Sequence, residues 1–213
     1  MYRIGYIDDE PKHYEKFQKK IQRRFKDVEL VFIDNCKTKD EFVDKIYEEQ
    51  VDVLLVDYKM VGTFGFNGST LINYINDEVR DLECFVLTAV DQDSINDGLV
   101  AYRNIRSKSI FDTEGDDEER VKQLTDFIEI LKESSKVYKT RREENKTKYL
   151  NLLEKKKSGN ISLIEEEELS RLYRILSSYG LIEKLPNKVL ESEFEKDLNE
   201  LLKIGERILN NHR

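Results

Sequence analysis

Residues 51–60 read Val51-Asp52-Val53-Leu54-Leu55-Val56-Asp57-Tyr58-Lys59-Met60. The nearly continuous apolar run from Val51 to Val56 is what a strand buried on both faces of a parallel sheet requires. It ends on Asp57, a carboxylate where a strand gives way to a loop. On the amino-terminal side, Arg3 to Ile7 reads as a strand. Asp8-Asp9-Glu10-Pro11 follows, with Pro11 suited to a helix's first turn. Phe17, Ile21 and Phe25 then recur at helical spacing, and Glu29 to Ile33 reads as a second strand. Thr38-Lys39-Asp40-Glu41 has the capping-box form, and Phe42, Ile46 and Tyr47 follow on one face. On the carboxyl side, a glycine-containing loop from Val61 to Gly68 leads into a helix with Leu71, Ile72 and Ile75. Leu82 to Leu87 reads as a fourth strand, Asp93 to Tyr102 as a short helix, and Asn104 to Ser107 as a fifth strand. Strands alternating with helices imply a parallel sheet with helices on both faces. Ligands of such sheets sit at the carboxyl ends of the strands.

After about Asp112 the composition shifts from Val, Ile, Leu and Phe to Glu, Lys, Leu, Arg and Asn. That is the signature of exposed or paired helices. Only Pro11 and Pro186 occur in the 213 residues, and no Gly/Ser-rich linker separates the halves, so a continuous helix is expected at the join. Residues 116–157 read as one long helix, opened by the acidic group 116–119, a solvated helix start. Its positions from Leu124 to Leu152 step by fours and threes with apolar ends and a polar middle, a poor coiled coil. Ser162-Leu163-Ile164-Glu165 is a second capping box, opening a helix over 162–179 with Leu169, Leu172 and Leu176, and Gly180 fits its C-cap. A last helix is expected over 188–210, carrying Leu190, Phe194, Leu198 and Leu201, so that the region forms a small hairpin or bundle.

Two cysteines, Cys36 and Cys84, exclude a disulfide scaffold and fit a reducing compartment. No apolar stretch approaches the roughly 20 residues of a membrane helix. A cytoplasmic protein without a membrane partner is therefore expected. The formal charge of −8 argues against non-specific attraction to nucleic acid. The basic residues Lys136, Lys139, Arg141, Arg142, Lys146 and Lys148 are interspersed with acidic ones, and the next helix begins Glu165-Glu166-Glu167-Glu168, which would repel phosphates. That basic stretch reads better as a solvated or protein-docking face.

The polar residues at strand ends carry the chemistry. The first strand gives Asp8 and Asp9, the third Asp57, the fourth Thr88, and Lys108 follows the fifth. A parallel sheet brings these to one edge. Clustered carboxylates repel one another unless a cation joins them, and oxygen ligands suit Mg²⁺. A carboxylate beside Mg²⁺ can attack a phosphoryl group, and a hydroxyl and an ammonium can then hold the phosphoryl oxygens. Taken singly, Asp57 would pass for an ordinary strand-end residue and Thr88 for a β-former; they gain meaning together. His13 reads as solvent-facing on the first helix.

In these residues the chain resembles the receiver domain of two-component response regulators. The resemblance rests on Ile7-Asp8-Asp9-Glu10-Pro11, Leu54-Leu55-Val56-Asp57-Tyr58-Lys59-Met60, Asn67-Gly68, Val86-Leu87-Thr88-Ala89 and Lys108, and covers residues 1–115. It implies a flavodoxin-like, doubly wound α/β fold with a five-stranded parallel sheet in the order 2-1-3-4-5, followed by the α-helical region 116–213. It implies that Asp57 accepts the phosphoryl group, that Asp9 binds Mg²⁺ directly and Asp8 mainly through water, and that the main-chain carbonyl of Lys59 is a further ligand. Thr88 would bond the phosphoryl oxygen after transfer and Lys108 would form the ion pair. A phosphoacceptor, rather than an enzyme with turnover, is expected. The donor would be a sensor histidine kinase or phosphotransfer protein, with output to an unknown protein, or to a second copy, through the helical tail. The chain departs from the family pattern in a longer loop between Asp57 and Gly68, a shorter stretch from Thr88 to Lys108, Ser109 for the usual proline, and Ile105 for the usual aromatic. Arg106 is a rival for the role of Lys108. Two other readings stay open: a DNA-binding regulator with an atypical helical reader, and a phosphate sink or degenerate receiver without output of its own.

Overall fold

The structure, a computed structural model, describes residues 1–89, 95, 97–112 and 118–182. Five strands, β1 (Tyr2–Ile7), β2 (Val28–Phe32), β3 (Val53–Asp57), β4 (Cys84–Thr88) and β5 (Ile105–Ser107), form one parallel sheet in the order β2-β1-β3-β4-β5. The expected doubly wound α/β architecture is the one found. β3 and β4 are buried along their whole length, which accounts for their unbroken apolar sequence. The helices are α1 (Pro11–Arg24), α2 (Lys39–Glu48), α3 (Val61–Phe64), α4 (Gly68–Glu78), α5 (Glu118–Lys157) and α6 (Leu163–Ser177). Thr38 caps α2 by accepting from the Glu41 N–H at 3.2 Å, as its position in the motif predicts.

Register aligns the functional strand ends. Ile7 lies beside Val56, so Asp8 and Asp57 each follow the same rung. Asp57 lies beside Leu87, and Thr88 beside Ser107, the residue before Lys108. One layer at the carboxyl edge of the sheet therefore gathers Asp8, Asp57, Thr88 and Lys108.

The described chain divides into two compact units, with the boundary between Thr147 and Lys148. The sequence had suggested an end at residue 115. The reason for the difference is α5. Its polar outer face produces the shift in composition, but Leu124, Phe127, Ile128 and Leu131 are at most 2% exposed and belong to one core with Leu55, Phe85, Leu87 and Phe111. Each such burial is worth about 1.5–3 kcal/mol. Beyond this face, α5 fastens to chain segments at the amino-terminal ends of the strands. Lys132 pairs with Asp27 at 2.8 Å, Ser134 donates to Glu83 at 2.6 Å, Lys139 pairs with the buried Asp52 at 2.9 Å, and Arg141 pairs with Asp81 at 2.7 Å. Within the second unit, the Ser162 hydroxyl accepts from Glu165 N–H at 3.3 Å, and the Glu165 carboxylate accepts from Ser162 N–H at 3.0 Å. α6 buries Leu169, Leu172, Ile175 and Leu176, and Gly180 ends it in the left-handed region at φ +67°. The helix expected over 188–210 lies outside the described residues.

Two local readings differ from the structure. The segment 61–68 contains the single turn α3, closed by Gly65 in the left-handed region at φ +76°. Of the helix expected over 93–102, residues 97–100 form bends instead, and a 3-10 turn begins at Tyr102.

Candidate functional site

β1 delivers Asp8 to the carboxyl edge and the turn into α1 delivers Asp9; β3 delivers Asp57. One oxygen from each of these three carboxylates lies within 4.8 Å of the others. Lys108 reaches in from the end of β5, with its Nζ 2.7 Å from Asp8 Oδ2 and 2.9 Å from Asp57 Oδ1. Its side chain is 13% exposed, so the pairing is shielded from solvent. Arg106, the rival cation, turns elsewhere: its guanidinium lies 5.8 Å from the Phe127 ring centre and donates to the Ile105 carbonyl. Thr88 is 1% exposed and lines, with Asp9, Asp57, Lys59 and Lys108, a cavity of about 490 Å³. All six residues singled out from the sequence thus meet in one place.

Two side chains that sequence reasoning passed over complete the setting of Asp8. The buried Tyr6 hydroxyl donates to Asp8 Oδ2. In sequence Tyr6 is simply a good strand former, and its contact two residues on is visible only once the strand end turns. His13 is not turned to solvent as expected: its Nδ1 lies 3.1 Å from Asp8 Oδ2 and 3.3 Å from Lys108 Nζ, and its ring stacks on Phe17. Pro11 opens α1, and the first turn of that helix brings His13 against Asp8. In addition, the Thr63 hydroxyl on α3 donates to Asp9 Oδ2 at 3.0 Å, which gives the extra turn in the loop a role at the site.

The two inner carboxylates are shifted in opposite directions. Burial pushes the Asp57 carboxyl above the usual carboxylate range, against the hydrogen bond from Lys108 and that from the Lys59 N–H. Burial acts on Asp8 in the same sense, but hydrogen bonds from Lys108, Tyr6 and the Glu10 N–H outweigh it and hold Asp8 below that range. Asp8 is thus an anchored anion, while Asp57 carries a negative charge its surroundings poorly tolerate. Three carboxylates gather around the Lys108 ammonium, and the excess negative charge in an open cavity fits a hard divalent cation with oxygen ligands.

The approach of α4 fixes Asp57 from behind. Gly68 N–H donates to the Tyr58 carbonyl at 2.9 Å, and Tyr58 N–H donates to Leu87 at 2.8 Å. A Cβ on Gly68 would stand 2.1 Å from the Asp57 carbonyl oxygen, so only glycine lets the helix start there.

No family model matches the chain, and no curated protein matches it. Among solved structures, a chain from the crystal structure of the histidine kinase ThkA in complex with the response regulator protein TrrA is 25% identical, with a TM-score of 0.42, over 58% of this chain and 98% of that one. The RcsB response regulator of Salmonella typhimurium is 17% identical with a TM-score of 0.46, over 86% of this chain and 94% of that one. A second RcsB structure, from Salmonella enterica serovar Typhimurium, bound to the promoter rprA in the presence of the phosphomimetic BeF3-, is 18% identical with a TM-score of 0.43, over 89% and 96%. Among the described residues, no helix is long and apolar enough to cross a membrane.

Proposed function

We propose that the chain is a receiver-like phosphoacceptor of a two-component pathway, phosphorylated on Asp57 in a Mg²⁺-dependent reaction. The observation that carries this reading is the convergence of Asp8, Asp9 and Asp57 around Lys108 at the carboxyl edge of the sheet. Asp8, Asp9, Asp57 and the Lys59 carbonyl would hold the ion, which when bound neutralises charge on the transferring phosphoryl group. Asp57 Oδ attacks phosphorus; the O–P bond forms as the bond from phosphorus to the donor's leaving group breaks, and that electron pair departs with the leaving group. The poor stabilisation of ionised Asp57 favours this step, because forming the acyl phosphate takes the charge off the buried carboxylate and places it on phosphoryl oxygens in the open cavity. Lys108 then leaves its bridge between the two carboxylates to pair with a phosphoryl oxygen, and the Thr88 hydroxyl donates to another.

In this reading the protein is consumed and regenerated as an acceptor rather than turning over a substrate. Its donor is a sensor histidine kinase or phosphotransfer protein. Its output is protein–protein contact through the helical region, including self-association, with the start of α5 as the responsive part. Leu124 and Ile128 of that start are fully buried against the same core as β4, whose end carries Thr88. The phosphate-sink reading is favoured by one observation: Ile105, 1% exposed, stands where an aromatic residue would follow the threonine inward. The test is incubation with labelled acetyl phosphate, with and without Mg²⁺. Label should require the ion and vanish in Asp57→Asn; label that persists in that variant overturns the assignment.

A further inference from the structure

The three carboxylates of the site are not held alike. Asp8 and Asp57 are buried, and each takes at least two hydrogen bonds, Asp8 from Lys108, Tyr6 and the Glu10 N–H, and Asp57 from Lys108 and the Lys59 N–H. Asp9 is half-buried in the turn between β1 and α1. Among the described residues its side chain takes a single hydrogen bond, from the Thr63 hydroxyl to Oδ2 at 3.0 Å. Thr63 is exposed, yet the turn α3 that carries it is held on two sides. The Phe64 N–H donates at 2.9 Å to the carbonyl of Met60, which is fully buried. The Phe64 ring meets the buried Phe42 edge-on, with centroids 5.4 Å apart, and stacks on Phe66 at 5.9 Å. The hydroxyl therefore meets Asp9 from a fixed support.

We propose that Thr63 is a positioning residue for the divalent cation, acting through Asp9. The inference rests on the Mg²⁺-dependent reading of the site and names a residue that sets its affinity for the ion. Mg²⁺ demands near-octahedral geometry, so a carboxylate that can swing is a poorer ligand than one already oriented. A donor on one carboxylate oxygen sets the plane of the group and leaves the other oxygen for the ion. With Oδ2 of Asp9 taken by the Thr63 hydroxyl, Oδ1 is the oxygen left. The loop after β3 would thus serve the ion twice, directly through the Lys59 carbonyl and, four residues on, through Thr63 and Asp9. The single turn inside this lengthened loop is what carries the hydroxyl to the carboxylate.

The test compares Thr63→Val, which keeps the shape and removes the donor, with Thr63→Ser, which keeps the donor. Calorimetric titration of the full chain with Mg²⁺ alone, and no phosphodonor, reads the affinity. Thr63→Val should bind the ion about tenfold or more weakly than the native chain, the range expected when a ligand loses its supporting hydrogen bond. Thr63→Ser should stay close to native. Urea midpoints without Mg²⁺ should coincide for all three, because Thr63 is exposed. Labelling of Asp57 by acetyl phosphate should lag in Thr63→Val at limiting Mg²⁺ and recover at saturating Mg²⁺. Equal or tighter binding by Thr63→Val, a Thr63→Ser as weak as Thr63→Val, an equal loss in the metal-free midpoint, or a labelling deficit that saturating Mg²⁺ leaves in place would each overturn the inference while the reading of the site stands. A native chain that binds no Mg²⁺ would overturn both.

Discussion

Asp57 and Asp8 share one lysine and yet differ, because burial of Asp57 outweighs its hydrogen bonds from Lys108 and the Lys59 N–H, while Asp8 also draws on Tyr6 and the Glu10 N–H. The consequence for stability has opposite signs. Folded Asp57 holds a proton more tightly than the unfolded chain does, so its ionisation costs stability at neutral pH, and that cost is relieved as the pH falls through its folded range. Asp8, held low, contributes stability above the usual carboxylate range near 3.9 that is lost as the pH falls through its lower folded range. In Mg²⁺-free buffer, Asp57→Asn should therefore stabilise the fold by on the order of 1 kcal/mol, since Lys108 keeps Asp8 as a partner. Urea denaturation at neutral pH measures it. A loss of stability would mean that the Lys108 pair outweighs the burial of the Asp57 charge. The gathering of these residues was legible in the sequence, because strand-end polar groups become neighbours once the strands are parallel. The sequence did not carry Tyr6 or His13, whose contacts with Asp8 depend on how the chain turns from the end of β1 into α1.

Elements written in long apolar runs or explicit caps were legible. β3 and β4 follow from Val53–Val56 and Cys84–Leu87, and α2 and α6 from their Thr38 and Ser162 caps. The short turn α3 was not, because four residues with a glycine inside and another at the end carry no periodicity; its Thr63 bonds Asp9, and Gly65 caps it. At the next element, α4, a single atom decides the geometry. Gly68→Ala would press a methyl group against the Asp57 backbone, which cannot retreat without displacing the Asp57 carboxylate. The expected cost is about 3 kcal/mol in chemical denaturation, together with slower labelling by acetyl phosphate. Unchanged stability and labelling would show that α4 can shift its start without disturbing Asp57.

At the scale of the molecule, α5 belongs both to the sheet's core and to the region beyond it, which composition alone divided too early. A chain ending at residue 115 would strip Leu124, Phe127, Ile128 and Leu131 from the core and uncover Phe85 and Phe111. It should show no cooperative thermal transition, whereas a chain ending at residue 147 should keep one; equal cooperativity in both would mean that the sheet is stable without its last helix. On the proposed reading, the same burial would give phosphorylation a route outward, since a rearrangement at Thr88 would act on a core that includes the start of α5. Everything in that route depends on an acyl phosphate forming at one carboxylate. The direct test is to treat the full chain with acetyl phosphate and Mg²⁺, reduce it with borohydride, and sequence the peptides by mass spectrometry. Reduction turns an aspartyl phosphate into homoserine. The account predicts homoserine at position 57, dependent on the ion; homoserine at position 8 or 9, or phosphate retained on His13 with position 57 unchanged, would contradict it.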